Sequence, residues 1–284
     1  MSALKGKIDF TLFIAAKNAN PNGDPLNGNR PRTNIDGYGE ISDVCIKRKI
    51  RNRLQDLGQK IFVQSDDRSD DGCTSLKERA DSCESLKKEM ANKKKAKKET
   101  CMQAACEEWI DVRSFGQVFA FKGEEVSFGV RGPVSINQAT SLSPVDVISM
   151  QITKSVNSEA KDSKASDTMG TKHRINFGVY RVNGSVNVQL AEKTGFSQED
   201  AELLKEALKT LYENDASSAR PEGSMEVCRL YWWQHEDKTP AISSGKIQRG
   251  FTIEEDKTPS RKFSDYSINW KVDGCMEPEI FDLV

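Results

Sequence analysis

Apolar positions along this chain switch between two periods, and the switches mark its elements. Ile8, Phe10, Leu12 and Ile14 alternate with Asp9, Thr11, Phe13 and Ala15, the period of two expected of a strand with one strongly apolar face. Further on the spacing lengthens. Ile46, Ile50, Leu54 and Leu57 recur on one helical face, with Ser42 or Asp43 as N-cap and Gly58 as the stop, so this helix is expected to pack on the sheet. Asp111–Phe121 reads as a second strand region, in which Gly116 marks a bulge or a close backbone approach. Val179–Val182 and Val186–Val188 flank Asn183-Gly184, the pattern of a β-hairpin with a primed turn. Ser197 and Asp200 open a helix reaching about Asn214, with Ala201, Leu204, Leu208 and Leu211 facing in and mostly acidic residues facing out. Glu226–Gln234 reads as a strand, and Phe263–Val272 as the last one.

Two stretches interrupt this order. Residues 65–100 open on S-D-D-R-S-D-D-G, continue rich in Lys and Glu, and end on K-K-K-A-K-K-E; with few large apolar residues they read as a partly helical, mobile insertion. Residues 145–174 run as an apolar strand, a polar middle and a returning strand, the outline of an arm. It carries Lys154, Lys161, Lys164, Lys172 and Arg174, and Met169 beside Gly170 is either core filler or an exposed apolar wedge. In sequence order this gives β-loop-α, insertion, β, arm, hairpin, α, β, β. That order suits one α+β unit, an antiparallel sheet with two helices on one face.

The loop between the first strand and the first helix stands out. Lys17–Arg32, K-N-A-N-P-N-G-D-P-L-N-G-N-R-P-R, holds five Asn, three Pro and two Gly in sixteen residues. Proline removes backbone donors while Gly and Asn favour positive φ, so the segment cannot be regular structure. It can present the amides of Asn20 and Asn22 and the guanidinium forks of Arg30 and Arg32, a chemistry suited to phosphate. A long surface connection would look the same. The adjoining helix tips the balance, because Lys47, Arg48, Lys49, Arg51 and Arg53 follow one another with no acid between them, whereas a solvated face usually mixes signs.

Composition narrows the classes. The 284 residues are 36% hydrophobic and 30% charged, with 42 basic against 43 acidic side chains, so any polyanion site must be a local patch. No apolar run approaches the roughly 18–20 residues that span a bilayer, and the N-terminus lacks a signal-peptide pattern, which points to the cytoplasm. Seven cysteines without a C-x-x-C pair read as reduced thiols rather than disulfides or a zinc site. Catalysis has little to stand on. His173 lies between Lys172 and Arg174, which reads as a phosphate contact rather than a general base; Ser244-Gly245-Lys246 lacks the rest of a phosphate-binding loop, and Asp9, Asp24 and Asp43 have no metal-ligand spacing. No cofactor or metal is expected. An RNP-type aromatic run, which a generic single-strand binder of the RRM kind would carry, is absent.

Several of these stretches together resemble a known family. N-x-N-P-N-G-D-P at Asn18–Pro25 and D-V-C-I-K-R-K-I-R-N at Asp43–Asn52 are similar to the backbone, crRNA-lining subunit of CRISPR type I Cascade complexes, nearest to type I-C. V-R-S-F-G-Q-V-F-A at Val112–Ala120, V-R-G-P-V-S at Val130–Ser135 (which contains Arg131) and M-G-T-K-H-R-I-N-F-G-V-Y-R-V-N-G at Met169–Gly184 agree, and the likeness continues to Arg220. It departs in the Lys-rich insertion at 65–100. The resemblance implies a modified RRM or ferredoxin-like palm over 1–284 with finger-like insertions and a β-hairpin thumb at 145–174. Copies would stack head to tail along a CRISPR guide RNA, beside other Cascade subunits, while target DNA pairs with the displayed bases in antiviral defence. By position, Asn20, Asn22, Lys47, Arg48 and Arg51 would hold guide phosphates and Met169 would wedge against a base. The enzyme alternative is a CRISPR RNA-processing endoribonuclease of similar fold that uses His173.

Overall fold

The computed structural model describes residues 2–91, 97–122, 126–153 and 169–284. Strand β1 (Ile8–Ala19) lies at the middle of the molecule and is buried along both faces, not one: Ile8, Phe10, Leu12 and Ile14 enter one core and Phe13 another. The loop that follows is pinned by two short paired strands, β2 (Gly23–Asp24) and β3 (Arg30–Pro31), and passes through β4 (Tyr38–Ile41) into α1 (Asp43–Asp56). Ser42 caps α1 by accepting from the Cys45 amide, and Gly58 follows its end at φ 78°. Ile46, Ile50 and Leu54 are buried against the sheet, as their spacing predicts.

Residues 61–131 then build a second small core. Helices α2 (Leu76–Ser82), α3 (Glu84–Ala91), α4 (Lys98–Glu108) and α5 (Ile110–Phe115) lead to the paired strands β5 (Gly116–Phe119) and β6 (Phe128–Arg131). The Phe62, Trp109 and Phe119 rings meet at its centre, packed round by Ala80, Leu86, Cys101 and Cys106. Among the described residues, the insertion at 65–100 is therefore a packed helical unit that small side chains and thiols suffice to fill. Burial pushes the Cys106 thiol up to about 12, as suits a core residue, and all seven cysteines are free.

The strand expected over Asp111–Phe121 begins only at Gly116. Asp111 and Arg113, two residues apart, are both buried in α5 and bond to different partners, and tertiary demand of this kind overrides the β-propensity of the segment. The close approach expected at Gly116 is present: a Cβ there would lie 2.3 Å from the Val130 carbonyl oxygen, and its φ is 80°.

Next come β7 (Val134–Ile136), β8 (Ala139–Pro144), β9 (Val147–Thr153) and β10 (Met169–Val186), followed by α6 (Val188–Thr194), α7 (Gln198–Lys209) and β11 (Met225–Gln234). Asn183-Gly184 is no hairpin turn. Both residues lie inside the eighteen-residue β10, paired to Thr11 and Phe10 of β1. Asn183 Oδ1 accepts from the Thr11 hydroxyl, and Gly184 gives the Phe10 ring room that a Cβ, 2.2 Å from it, would take. The capping box at Ser197 and Asp200 is formed, although α7 ends at Lys209 rather than near Asn214.

The chain finishes with α8 (Ser244–Arg249), β12 (Phe251–Glu255), β13 (Tyr266–Trp270) and β14 (Glu279–Asp282), so the strand expected at Phe263–Val272 is shorter and is not the last. Among the described residues eight strands form one antiparallel sheet in the order β14-β11-β1-β10-β8-β4, with β7 and β9 also on β10. Helices α1, α6 and α7 cover one face, while α8 and the β12–β13 ribbon cover the other around Phe13, Tyr231 and Trp233. No helix among the described residues is long and apolar enough to cross a membrane.

One ion pair in the insertion carries a pH prediction. Buried Arg79 donates to both Asp71 oxygens, and this holds the Asp71 carboxyl down at about 2. A carboxyl depressed in the folded state stabilises it in full above the ordinary value and loses that contribution as pH falls toward 2. An acid titration should thus show α2 loosening between about pH 4 and 2, and Arg79→Gln should return the Asp71 titration, read by carboxyl NMR shifts, toward the ordinary carboxylate range.

Candidate nucleic-acid interface

The Asn/Pro/Gly loop is held by its own amides. Asn20 is buried: its backbone amide donates to Ala219 O and its side-chain amide to Asn29 O, while its Oδ1 has no hydrogen-bond partner among the described residues. Asn22 Oδ1 accepts from both the amide and the hydroxyl of Ser42, tying the loop to the start of α1. Asn18 and Asn29 take positive φ, the conformations their residue type favours. Asn20 and Asn22 thus shape the loop. Arg32 lies 3.3 Å from Asp24 within it.

Arg30 reaches outward. Its Nη1 donates to Ser149 Oγ of β9 at 2.9 Å, and the same hydroxyl lies 2.9 Å from His173 Nδ1 on β10. Loop and arm are therefore joined at one point, through a neutral hydroxyl, which leaves the rest of the five-donor guanidinium fork uncommitted to a carboxylate there. The two strands expected of the arm pair antiparallel, β9 with the first part of β10, Ile175 opposite Val147 and Met169 opposite Thr153, while its polar middle lies outside the described residues. Lys154, Lys161 and Lys164 lie outside the described residues.

The strand period sorts the arm's candidates onto two faces. His173 and Met169 share a face with Ser149 and Gln151, whereas Lys172 and Arg174 share the other with Ile148, Met150 and Ile152. Met169 is 59% exposed and Ile152 51%, so apolar side chains project on both sides of the arm's outer end. Arg174 Nε is buried without a hydrogen-bond partner among the described residues. Arg131 is exposed on β6, in the β5–β6 ribbon, apart from the β9–β10 arm.

Helix α1 differs from what its charge run predicts. Lys47 pairs with Asp43 at 3.1 Å; Arg48 donates to Val63 O at 2.5 Å, and burial lowers its pKa. Arg51 meets the fully buried Asp111 at 2.9 Å, Lys49 meets Asp215 at 2.5 Å, and Arg53 meets Glu213 at 2.7 Å. Four of these five cations have acids from other parts of the fold or from one turn away, so the helix uses its charge largely to bind α5 and the segment after α7. The residue that sequence reasoning missed is Ser149. Its one signal is the arm's register, which sets it opposite His173 once Val147 is aligned with Ile175.

Among the described residues no group of three or more His, Cys, Asp or Glu side chains could hold a metal ion. The candidate site is thus a shaped Asn-rich loop and the β9–β10 arm, carried on an antiparallel sheet and meeting at one hydroxyl. Comparison with known sequences gives the family: a model described as CRISPR-associated protein Cas7 matches residues 6–271, and the chain belongs to that family. A relative from Haloferax volcanii, named CRISPR-associated protein Cas7, is 30% identical over 211 residues, or 68% of this chain. The matched part spans 60% of that relative's length. Among solved structures, a chain of a "CRISPR RNA-guided surveillance complex, pre-nicking" aligns with 16% identity and a TM-score of 0.49, covering 80% of this chain and 77% of its own. A chain of a "CRISPR RNA-guided surveillance complex" aligns with 17% identity and a TM-score of 0.44, covering 80% and 68%.

Proposed function

We propose that this chain is a non-catalytic scaffold subunit, of the type I-C backbone kind, that assembles with copies of itself along a CRISPR guide RNA in a surveillance complex. It holds the RNA backbone and unstacks it at intervals, so that target DNA can pair with the displayed bases. Membership of the Cas7 family across residues 6–271 is the observation that carries this reading. The topology supports it: with α1 and α7 on one face, the order β11-β1-β10-β8 suits the RRM-like palm of this reading, in which β9 and the start of β10 would serve as the thumb. Arg30, Lys172, His173 and Arg174 are the phosphate contacts in this reading, with Lys47, Arg32 and Arg131 at its margins, and Met169 is the wedge. Asn20, Asn22, Arg48 and Arg51 act by shaping and anchoring the loop and helix. Repetition along one strand lets a near-neutral chain bind RNA, because each copy adds its few contacts to the same polymer.

Expression with a CRISPR array tests the reading. Spacer-derived RNA should copurify in a large ribonuclease-protected particle, and the folded Arg30→Gln, Lys172→Gln, Arg174→Gln variant should retain at least tenfold less of it, since the loss of even one charged hydrogen bond, roughly 1.5–3 kcal/mol, corresponds to tenfold or more. Undiminished RNA in the folded variant would remove these residues from the interface. Shortening of precursor RNA by the chain alone, abolished by His173→Ala, would make it a processing nuclease instead.

A further inference from the structure

Away from the loop and arm, on the sheet face that α1 and α7 do not cover, Arg181 projects from β10 toward α8. Its Nε donates to Asn183 Oδ1 at 3.3 Å, its Nη2 to the Gln248 carbonyl, and its guanidinium lies 4.4 Å from the Phe251 ring centroid. None of these partners is charged. Arg51, Arg79, Arg113 and Arg229 each meet a carboxylate. Arg181 has none among the described residues, and burial lowers its pKa to about 10. A half-buried cation without a counter-ion is costly in the free protein, and one occupant that offsets the cost is an anion.

The surroundings fit one. Arg181 borders a cleft of about 430 Å³ whose other polar walls are Arg249, Gln138, Thr140, Ser141, Asn183 and Gln248; among the described residues no Asp or Glu lines it. Two guanidinium groups with neutral amides and hydroxyls are the donor set for phosphate oxygens, and a ring stacked on one guanidinium fixes the plane of its fork. The volume is in the range that holds a phosphate with an attached sugar. Arg181 is seven residues from Arg174 along one strand, about 23 Å at the usual rise per residue, so the cleft is separate from the arm.

We propose that the cleft between β10 and α8 is a second phosphate-binding site, in which Arg181 and Arg249 hold a phosphate group. Two sources share that chemistry: an internucleotide phosphate of a bound single strand, which rests on the function proposed above, and a free phosphate species, which does not.

The full chain with Arg181→Gln, Arg249→Gln and the pair tests this in two arms. Inorganic phosphate and pyrophosphate should raise the Tm of the unaltered chain and leave that of the paired variant unmoved. A labelled single-stranded oligoribonucleotide titrated at several salt concentrations should show the slope of log K against log salt falling by about 0.7 in the pair, the change expected when one phosphate of a single strand is no longer neutralised. Phosphate protection with unchanged RNA slopes would assign the site to a free phosphate ligand. If Arg30→Gln abolishes RNA binding while Arg181-dependent phosphate protection persists, the two proposals separate. A chain that phosphate does not protect, with RNA slopes alike in all variants, would overturn the site. A Tm fall in Arg181→Gln alone would then mark that arginine as an interior clamp. Arg249 is exposed, so Arg249→Gln supplies a folded variant in either case.

Discussion

Replacing Arg51 with alanine lowers the unfolding free energy by an expected 3–5 kcal/mol or so, the usual cost of leaving a buried charge without its partner. The charge is Asp111, fully buried on α5. Its Oδ1 accepts from the Phe62 amide at 2.7 Å, and its Oδ2 accepts from the Val63 amide at 3.1 Å and from Arg51 Nε at 2.9 Å. Phe115 lies under the guanidinium at 5.0 Å, so truncation also strips a cation from the face of that ring. Denaturant unfolding of Arg51→Ala, Asp111→Asn and the double variant gives the coupling directly; a cost below about 1 kcal/mol for Arg51→Ala would place the pair among ordinary surface ion pairs. The result bears on function. Any loss of RNA in a variant that includes Arg51→Ala has to be separated from loss of fold. Lys47→Ala is the cleaner probe, because its ion-pair partner Asp43 is itself 43% exposed at the side chain.

Gly184→Ala is the second large effect. An added methyl group would sit 2.2 Å from the Phe10 ring and 2.7 Å from Ser135 O. Gly184 is flanked on both sides, paired with Phe10 of β1 and with Ile136 of β7, so neither neighbour can yield without shifting a strand. Overpacking of this kind costs about 1–3 kcal/mol. It should appear as a lowered Tm and as faster amide exchange on β7. Unchanged stability would mean that β7 can move aside. Asn183→Ala serves as the comparison, since it removes the hydrogen bond from Thr11 without adding bulk.

The elements that could be read directly are those set by local signals. β1 follows from its alternation, α1 from its cap and stripe, and α7 from the Ser197–Asp200 box. Asn183-Gly184 misleads because its local signal is that of a turn, while the pairing that keeps it extended comes from residues 10 and 11, far away in the chain. The charge of α1 misleads for the same reason. Arg51 and Lys49 find their acids 60 and 166 residues further on, so a segment that looks uncompensated in sequence is compensated in space. The second core escapes notice because alanine and cysteine fill it around a few rings. Of the candidate site, the loop and the arm are legible as separate stretches. Their junction at Ser149 depends on the register of a hairpin and has no mark of its own in the sequence.

The length of β10 has a mechanical consequence. Eighteen residues of one extended strand cover about 59 Å, and Ile175 is at once the partner of Ala19 in the central ladder and of Val147 in the arm. The two ladders meet at that residue with no intervening loop to act as a joint. Swinging the described part of the arm, Val147–Thr153 with Met169–Ile175, would peel β10 from β1, so that part behaves as a stiff outrigger whose heading is set by the twist of the sheet. A ligand gripping that part would meet side chains already in place, and little free energy would go into ordering the protein. Spacings between side chains on the described part of the arm and those on the body are then fixed by the fold, and an RNA bound in the way proposed above would have to conform to them.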